Sequence, residues 1–185
     1  MKKKTIIFVL LIITAILGYT LFFSNQGKSA AFLERYELEG LSVVEIIDIL
    51  EQKTDEPAGF NASITADKLF LSDGEDTIEL DIPENLFYLS VAPYINQTHP
   101  CANHSLVTCT GELQKETLRV IITDLDSEVV ILDQEVVTSA KGFAGLWLPK
   151  DKNLELVVNY EGLTAKKRLS TFESDNTCET TMQLS

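Results

Sequence analysis

Both histidines and two of the three cysteines of this 185-residue chain fall within eleven positions. They are His99, Cys101, His104 and Cys109 in Thr98-His-Pro-Cys-Ala-Asn-His-Ser-Leu-Val-Thr-Cys109. The third cysteine, Cys178, follows a polar segment, Ser174-Asp-Asn-Thr177, near the other end of the chain. Thiolate and imidazole together suit soft and borderline metals: Cu(I) favours thiolates, and a set of three Cys and one His could equally hold tetrahedral zinc. The Cys-x2-His and Cys-x7-Cys spacings match no zinc ribbon and do not separate the two metals. A second reading is structural, a disulfide that in its simplest form joins Cys101 to Cys109 and leaves Cys178 over. A third is redox, with paired thiols giving up electrons and closing a disulfide. Copper joins the metal and redox readings, because thiolates can reduce Cu(II) and then ligate the Cu(I) produced.

Other chemistry is poorly represented. There is no Gly-rich phosphate loop, no Gly-x-Ser-x-Gly and no His-Glu-x-x-His. The acids show no calcium-loop spacing. The stretch Gly142-Phe-Ala-Gly-Leu-Trp-Leu-Pro149 carries the single Trp and reads as core and turn, and Met182 as a strand-face core residue.

The compartment follows from the first 30 residues. Lys2, Lys3 and Lys4 precede an uncharged apolar run over 5–23, the pattern of an export signal. A signal-peptide apolar core spans about 7–15 residues and about 20 suffice to cross a bilayer, so cleavage and retention as an anchor both stay open. Lysines on the N-terminal side leave that end in the cytoplasm and the rest outside. No Cys follows the run to carry a lipid. The formal charge is −13, from 15 Lys and Arg against 28 Asp and Glu. Four of those cations and no acid precede residue 31, so the exported part carries −17. A nucleic-acid partner, which needs clustered cations, is excluded by that balance. Outside the cytoplasm a thiol oxidises unless a metal or reductant holds it, and an exported protein meets copper directly, which favours copper over zinc.

The elements that must position these residues are read from periodicity. Residues 31–58 form a helical segment: Ser42 with Glu45 makes a capping box, and Val43, Ile46, Ile47 and Leu50 recur at helical spacing. That apolar stripe fits packing on the rest of the protein or on a second copy. Beyond Pro57-Ala-Gly59 the period changes to two. Strands are predicted at Asn61–Thr65, Lys68–Ser72, Thr77–Asp81, around Phe87–Val91, and at Leu106–Leu113, Thr117–Thr123, Glu128–Leu132 and Glu135–Ser139. Further strands fall at Leu146–Leu148, Leu154–Tyr160, Thr164–Phe172 and Thr180–Leu184, with hairpin turns at Asp124–Ser127, Lys150–Asn153 and Glu161-Gly162. The expected fold is mainly β, an antiparallel sandwich or barrel over 59–185 with a small helical N-terminal segment. His99, Cys101 and His104 fall on a turn, and Cys109 on the strand after it, on the face of Val107 and Gly111.

Four blocks of sequence resemble the CueP family of extracytoplasmic copper-binding proteins. They are Phe87-Tyr-Leu-Ser-Val-Ala-Pro-Tyr94, Thr98-His-x-Cys-x-x-His-Ser-Leu-x-Thr-Cys-x-Gly-Glu-Leu113, Gly142-Phe-Ala-Gly-Leu-Trp-Leu-Pro149 and Thr177-Cys-x-Thr-Thr-x-Gln-Leu184. The resemblance spans residues 31–185 and implies that Cys101, Cys109 and Cys178 are the copper-linked thiols. It further implies reduction of Cu(II) to Cu(I), copper resistance or delivery to a copper-dependent client enzyme, and a homodimer assembled through the N-terminal segment. With His104 as a fourth ligand, the three thiolates would hold Cu(I) and leave a disulfide available after electron transfer, to be restored by a thiol reductant. The competing readings are a structural β-sandwich pinned by a Cys101–Cys109 bridge, and a metal-free thiol–disulfide oxidoreductase, which the absence of Cys-x-x-Cys disfavours. A retained anchor would tether the protein to the outer face of the membrane and limit delivery by diffusion.

Overall fold

A computed structural model of the chain describes residues 27–185 together with Ile7. Apart from Ile7, the apolar run 5–23 lies outside the described residues, as does most of the expected export segment 1–30. Among the described residues no helix is long and apolar enough to cross a membrane. The chain divides into two units, Met1–Gly40 and Leu41–Ser185. In the first, residues 27–35 form helix α1. Glu37, with φ of 59°, turns the chain, and the Leu38 N–H closes on the Leu33 carbonyl at 2.8 Å.

The second unit opens with helix α2, Val43–Gln52. Ser42 caps it: the Glu45 N–H donates to the Ser42 hydroxyl, and the Glu45 carboxylate accepts the Ser42 N–H at 2.8 Å. Its buried face comprises Ile46, Ile47, Leu50 and Glu51. The helix packs on the β domain. Trp147 Nε1 donates to Asp48 at 3.0 Å, and Tyr88 Oη donates to Glu51 at 2.9 Å.

Eleven strands follow: β1 Asn61–Ile64, β2 Lys68–Ser72, β3 Thr77–Asp81, β4 Leu86–Val91, β5 His104–Ser105, β6 Thr117–Asp124, β7 Val129–Val137, β8 Ala144–Pro149, β9 Asn153–Tyr160, β10 Leu163–Ser170 and β11 Cys178–Glu179. They make three sheets, ordered β3-β2-β1-β5, β10-β9-β6-β7 and β11-β4-β8. Every pairing is antiparallel except β11 on β4, which is parallel, and no sheet closes into a barrel. The core packs Phe87, Leu89 and Val91 of β4 and Leu146 and Leu148 of β8 against Leu118, Val120 and Ile122 of β6 and Leu154, Leu156 and Val158 of β9. Alternate residues of β6 and β9 point inward, as a half-buried antiparallel strand requires. β4 departs from that alternation: Phe87 to Val91 are all buried, because α2 covers the Tyr88 face.

Four predicted strands differ from the observed ones. Glu128–Leu132 and Glu135–Ser139 belong to one strand, β7, because Asp133 and Gln134 stay in register opposite Ile121 and Val120 of β6, and the Asp133 carboxylate accepts from Arg119 Nε at 3.1 Å. Leu106–Leu113 is not a strand. Ser105 Oγ accepts the N–H groups of Val107 and Thr108, and the Cys109 N–H closes on the Ser105 carbonyl at 3.3 Å, so the chain coils into a turn. Thr180–Leu184 shortens to the bridge between Tyr94 and Gln183, with the regular pairing moved upstream to Cys178–Glu179.

Candidate thiol and imidazole centre

Four segments of the β domain deliver the reactive side chains to one place. β11 pairs in parallel with β4, Cys178 opposite Ser90, with the Ser90 N–H on the Thr177 carbonyl at 2.9 Å. The Cys178 N–H then donates to the Ala102 carbonyl at 3.1 Å, drawing the 101–103 loop alongside. β5 pairs with β1, His104 opposite Ile64. The buried Thr177 hydroxyl ties these two strands together, accepting the His104 N–H at 3.0 Å and donating to the Ile64 carbonyl at 2.7 Å. The turn after Ser105 returns Cys109 to the same spot.

Two glycines allow the last approach. The Gly111 N–H donates to the Lys141 carbonyl at 2.6 Å, and a methyl group on Gly111 would lie 2.5 Å from the Gly142 carbonyl oxygen. Gly142 sits at φ of 83°, where a side chain would be strained as well as crowded. This contact seats Cys109 beside Phe143, and Ala92, Phe143 and Cys178 form a small apolar floor against which Cys101 and Cys109 pack.

Cys101 and Cys178 are bridged, with Cα atoms 5.7 Å apart, and Cys109 is free. The simplest expected pairing, Cys101 with Cys109, is therefore corrected. Sequence proximity favoured it, but the parallel β11–β4 pairing brings Cys178 across 77 positions to the same sulfur. The free Cys109 Sγ lies 3.6 Å from Cys101 Sγ. His104 Nδ1 lies 3.7 Å from Cys178 Sγ, and its ring packs on Phe143 at 4.6 Å between centroids. The three sulfurs and the His104 nitrogen are thus gathered in one cluster. His99 joins it from the other side, with the ligand atoms of His99, Cys101 and Cys109 within 4.8 Å of one another. The same limit holds for His104, Cys109 and Cys178. With bonds of about 2.0–2.3 Å, ligand atoms around one metal ion sit roughly 3.5–4 Å apart, so either set needs only small shifts to close on an ion.

Electrostatics favour the thiolate. Burial alone would push the Cys109 thiol up, but its hydrogen bond with His104 and the Ser105 N–H at 3.4 Å outweigh this and hold it below the ordinary value. Burial would likewise push His104 down, yet Cys109 and Glu51 outweigh it and raise the imidazole above its usual value. Glu51 is a functional residue that sequence reasoning missed. From α2 its carboxylate meets His104 Nε2 at 2.9 Å, while the Tyr88 hydroxyl donates to the same oxygen. The available signal was an acid at i+4 from Ile47, on the apolar stripe of α2.

A soft, partly dry cluster of three sulfurs and two imidazoles on an open β scaffold defines a thiol–imidazole protein suited to a soft metal or to thiol redox chemistry. The family model described as "Periplasmic copper-binding protein CueP" matches residues 42–183. The crystal structure of S.CueP aligns with a TM-score of 0.81 at 39% identity, over 85% of this chain and 97% of that one. No curated protein matches the chain. The chain belongs to the CueP family of periplasmic copper-binding proteins.

Proposed function

We propose that the chain binds copper outside the cytoplasm through the thiolates of Cys101, Cys109 and Cys178 with His104 as a nitrogen ligand, and that its thiols reduce Cu(II) to Cu(I). The observation that carries this reading is the gathering of all three sulfurs in one cluster beside His104, with Cys101 and Cys178 already close enough to be bridged. Two Cu(II) ions each take one electron, the Cys101 and Cys178 thiolates lose one each, and a disulfide forms between them. Cys109 stays reduced and remains a ligand for Cu(I). A thiol reductant then returns the bridged pair to thiols by exchange. The export signature at 1–30 and the family's periplasmic description support an extracytoplasmic location. On this reading residues 1–30 act as a signal peptide or an outer-face anchor, 31–58 as a segment able to pair two copies, and 59–185 as the copper-binding domain. Copper resistance or supply to a copper-dependent client is the role such a protein serves. Zinc is the lesser occupant, because it cannot accept the electrons that the bridged pair has lost.

The test is to add Cu(II) to the fully reduced protein without oxygen and to count thiols and Cu(I). Loss of two thiols with two bathocuproine-detectable Cu(I) ions per chain is expected, and Cys101→Ser should abolish it. Unchanged thiols and no bound copper would overturn the proposal.

A further inference from the structure

The five ligand side chains do not make one site. They make two triads that share a single sulfur, and the two differ in access. His104, Cys109 and Cys178 form a buried triad: His104 is 1% and Cys178 4% exposed. His99, Cys101 and Cys109 form the other, and all three are half-buried. Phe143 separates the two imidazoles, with its ring centroid 4.6 Å from that of His104 and 6.4 Å from that of His99. On the His99 side the protein surface opens into a depression of about 300 Å³ lined by Gln97, Thr98, His99, Gly111, Glu112 and Gln114. A cation arriving from solvent meets the outer triad first.

We infer that the outer triad is a separate entry site for Cu(I), from which the ion passes to the buried triad by ligand exchange about Cys109. The inference deepens the copper reading above and rests on it. In the transfer the bonds from copper to His99 Nε2 or Nδ1 and to Cys101 Sγ break, and bonds to His104 Nδ1 and Cys178 Sγ form. The bond to Cys109 persists throughout, so the ion is never free; Cys178 gives up its thiol proton as it binds, the departing Cys101 thiolate takes one up, and copper stays Cu(I). The arrangement also gives the disulfide a definite effect. Cys101 belongs only to the outer triad and Cys178 only to the inner one, so their bridge removes one sulfur from each and leaves Cys109 as the remaining thiolate of both.

The test follows Cu(I) uptake by the fully reduced full-length protein from a bicinchoninate complex, by stopped flow and at equilibrium, in wild type, His99→Gln and His104→Gln. His99→Gln should reach the wild-type copper content and affinity but take up the ion about tenfold more slowly. His104→Gln should keep the fast uptake and lose affinity, about 10- to 100-fold. Retention of the inner affinity in His99→Gln also establishes that it is folded. A wild-type uptake rate in His99→Gln would overturn the entry site alone. Equal losses of affinity on removal of either histidine would overturn it too, by showing a single shared site. Failure of the wild type to take up Cu(I) would overturn the copper reading itself and the entry site with it.

Discussion

His104 and Glu51 face each other at 2.9 Å with side chains 1% and 3% exposed, and this pairing decides which nitrogen of the imidazole meets the sulfurs. A carboxylate accepts, so Nε2 carries the proton it donates to Glu51, and Nδ1, 3.7 Å from Cys178 Sγ, is left with its lone pair when the ring is neutral. The Tyr88 hydroxyl holds the same carboxylate oxygen from β4, and burial followed by the nearby Glu51 charge pushes that phenol well above its usual value. Helix α2 thus reaches the site without contributing a ligand.

Removing the carboxylate should therefore weaken copper binding without touching a ligand. Glu51→Ala is expected to lower Cu(I) affinity by about 10- to 100-fold, the usual effect of losing the hydrogen-bond partner of a ligating histidine. Glu51→Gln keeps an acceptor for Nε2–H and should recover most of the loss. Competition against bathocuproine reads both, and wild-type affinity in the alanine variant would show that the pairing does not orient the ring.

Lys141 should be the most sensitive residue for stability outside the apolar core. Its ammonium meets Glu56 at 2.7 Å, with the two side chains 9% and 7% exposed, and also donates to the carbonyls of Leu50 and Leu106. One group thereby joins the end of α2, the turn after β5 and the loop before β8. Lys141→Met strands a buried carboxylate, and breaking such a pair from one side costs about 3–5 kcal/mol. The double variant Lys141→Met with Glu56→Gln should recover part of that. Urea unfolding measures both; a cost below about 1 kcal/mol would mean the pair behaves as a solvated one.

Where local rules governed, periodicity was enough. The Ser42–Glu45 box starts α2 where its spacing places it, and the hairpin turns at 125–128, 150–152 and 161–162 fall where polar and Gly-bearing breaks interrupt period two. The mainly β class follows from the same signals. The site was harder to read because its members meet through pairings between distant segments. Cys178 arrives on a parallel pairing, which no hairpin rule anticipates, and that pairing displaced the expected Cys101–Cys109 bridge. Cys109 lies on a turn because the Ser105 hydroxyl captures the N–H groups that a strand would have paired across a ladder. Glu51 carries little signal of its own in the sequence, since an acid beside the apolar stripe of α2 becomes meaningful only once His104 is seen opposite it.

Acid should loosen the approach to the site through Glu112. Its carboxylate accepts the N–H groups of Ile95 at 2.7 Å, Asn96 at 2.9 Å and Gln97 at 3.4 Å, and the Asn96 side-chain amide at 2.9 Å, fixing the chain that leads into His99. These donors, the Asn96 N–H foremost, hold the carboxyl down at about 2, against an ordinary value of 4.5. Because the folded value lies below the unfolded one, the stabilisation is fully present above about pH 4.5 and is lost as the pH falls through about 2. Glu112→Gln lacks a titrating group and donates where the loop requires an acceptor. The variant should therefore melt below the wild type at pH 7, with the gap narrowing from about pH 4.5 downward and closing near pH 2. Thermal melts of the two proteins across that range test this, and equal melting temperatures at pH 7 would show that the carboxylate does not hold the loop.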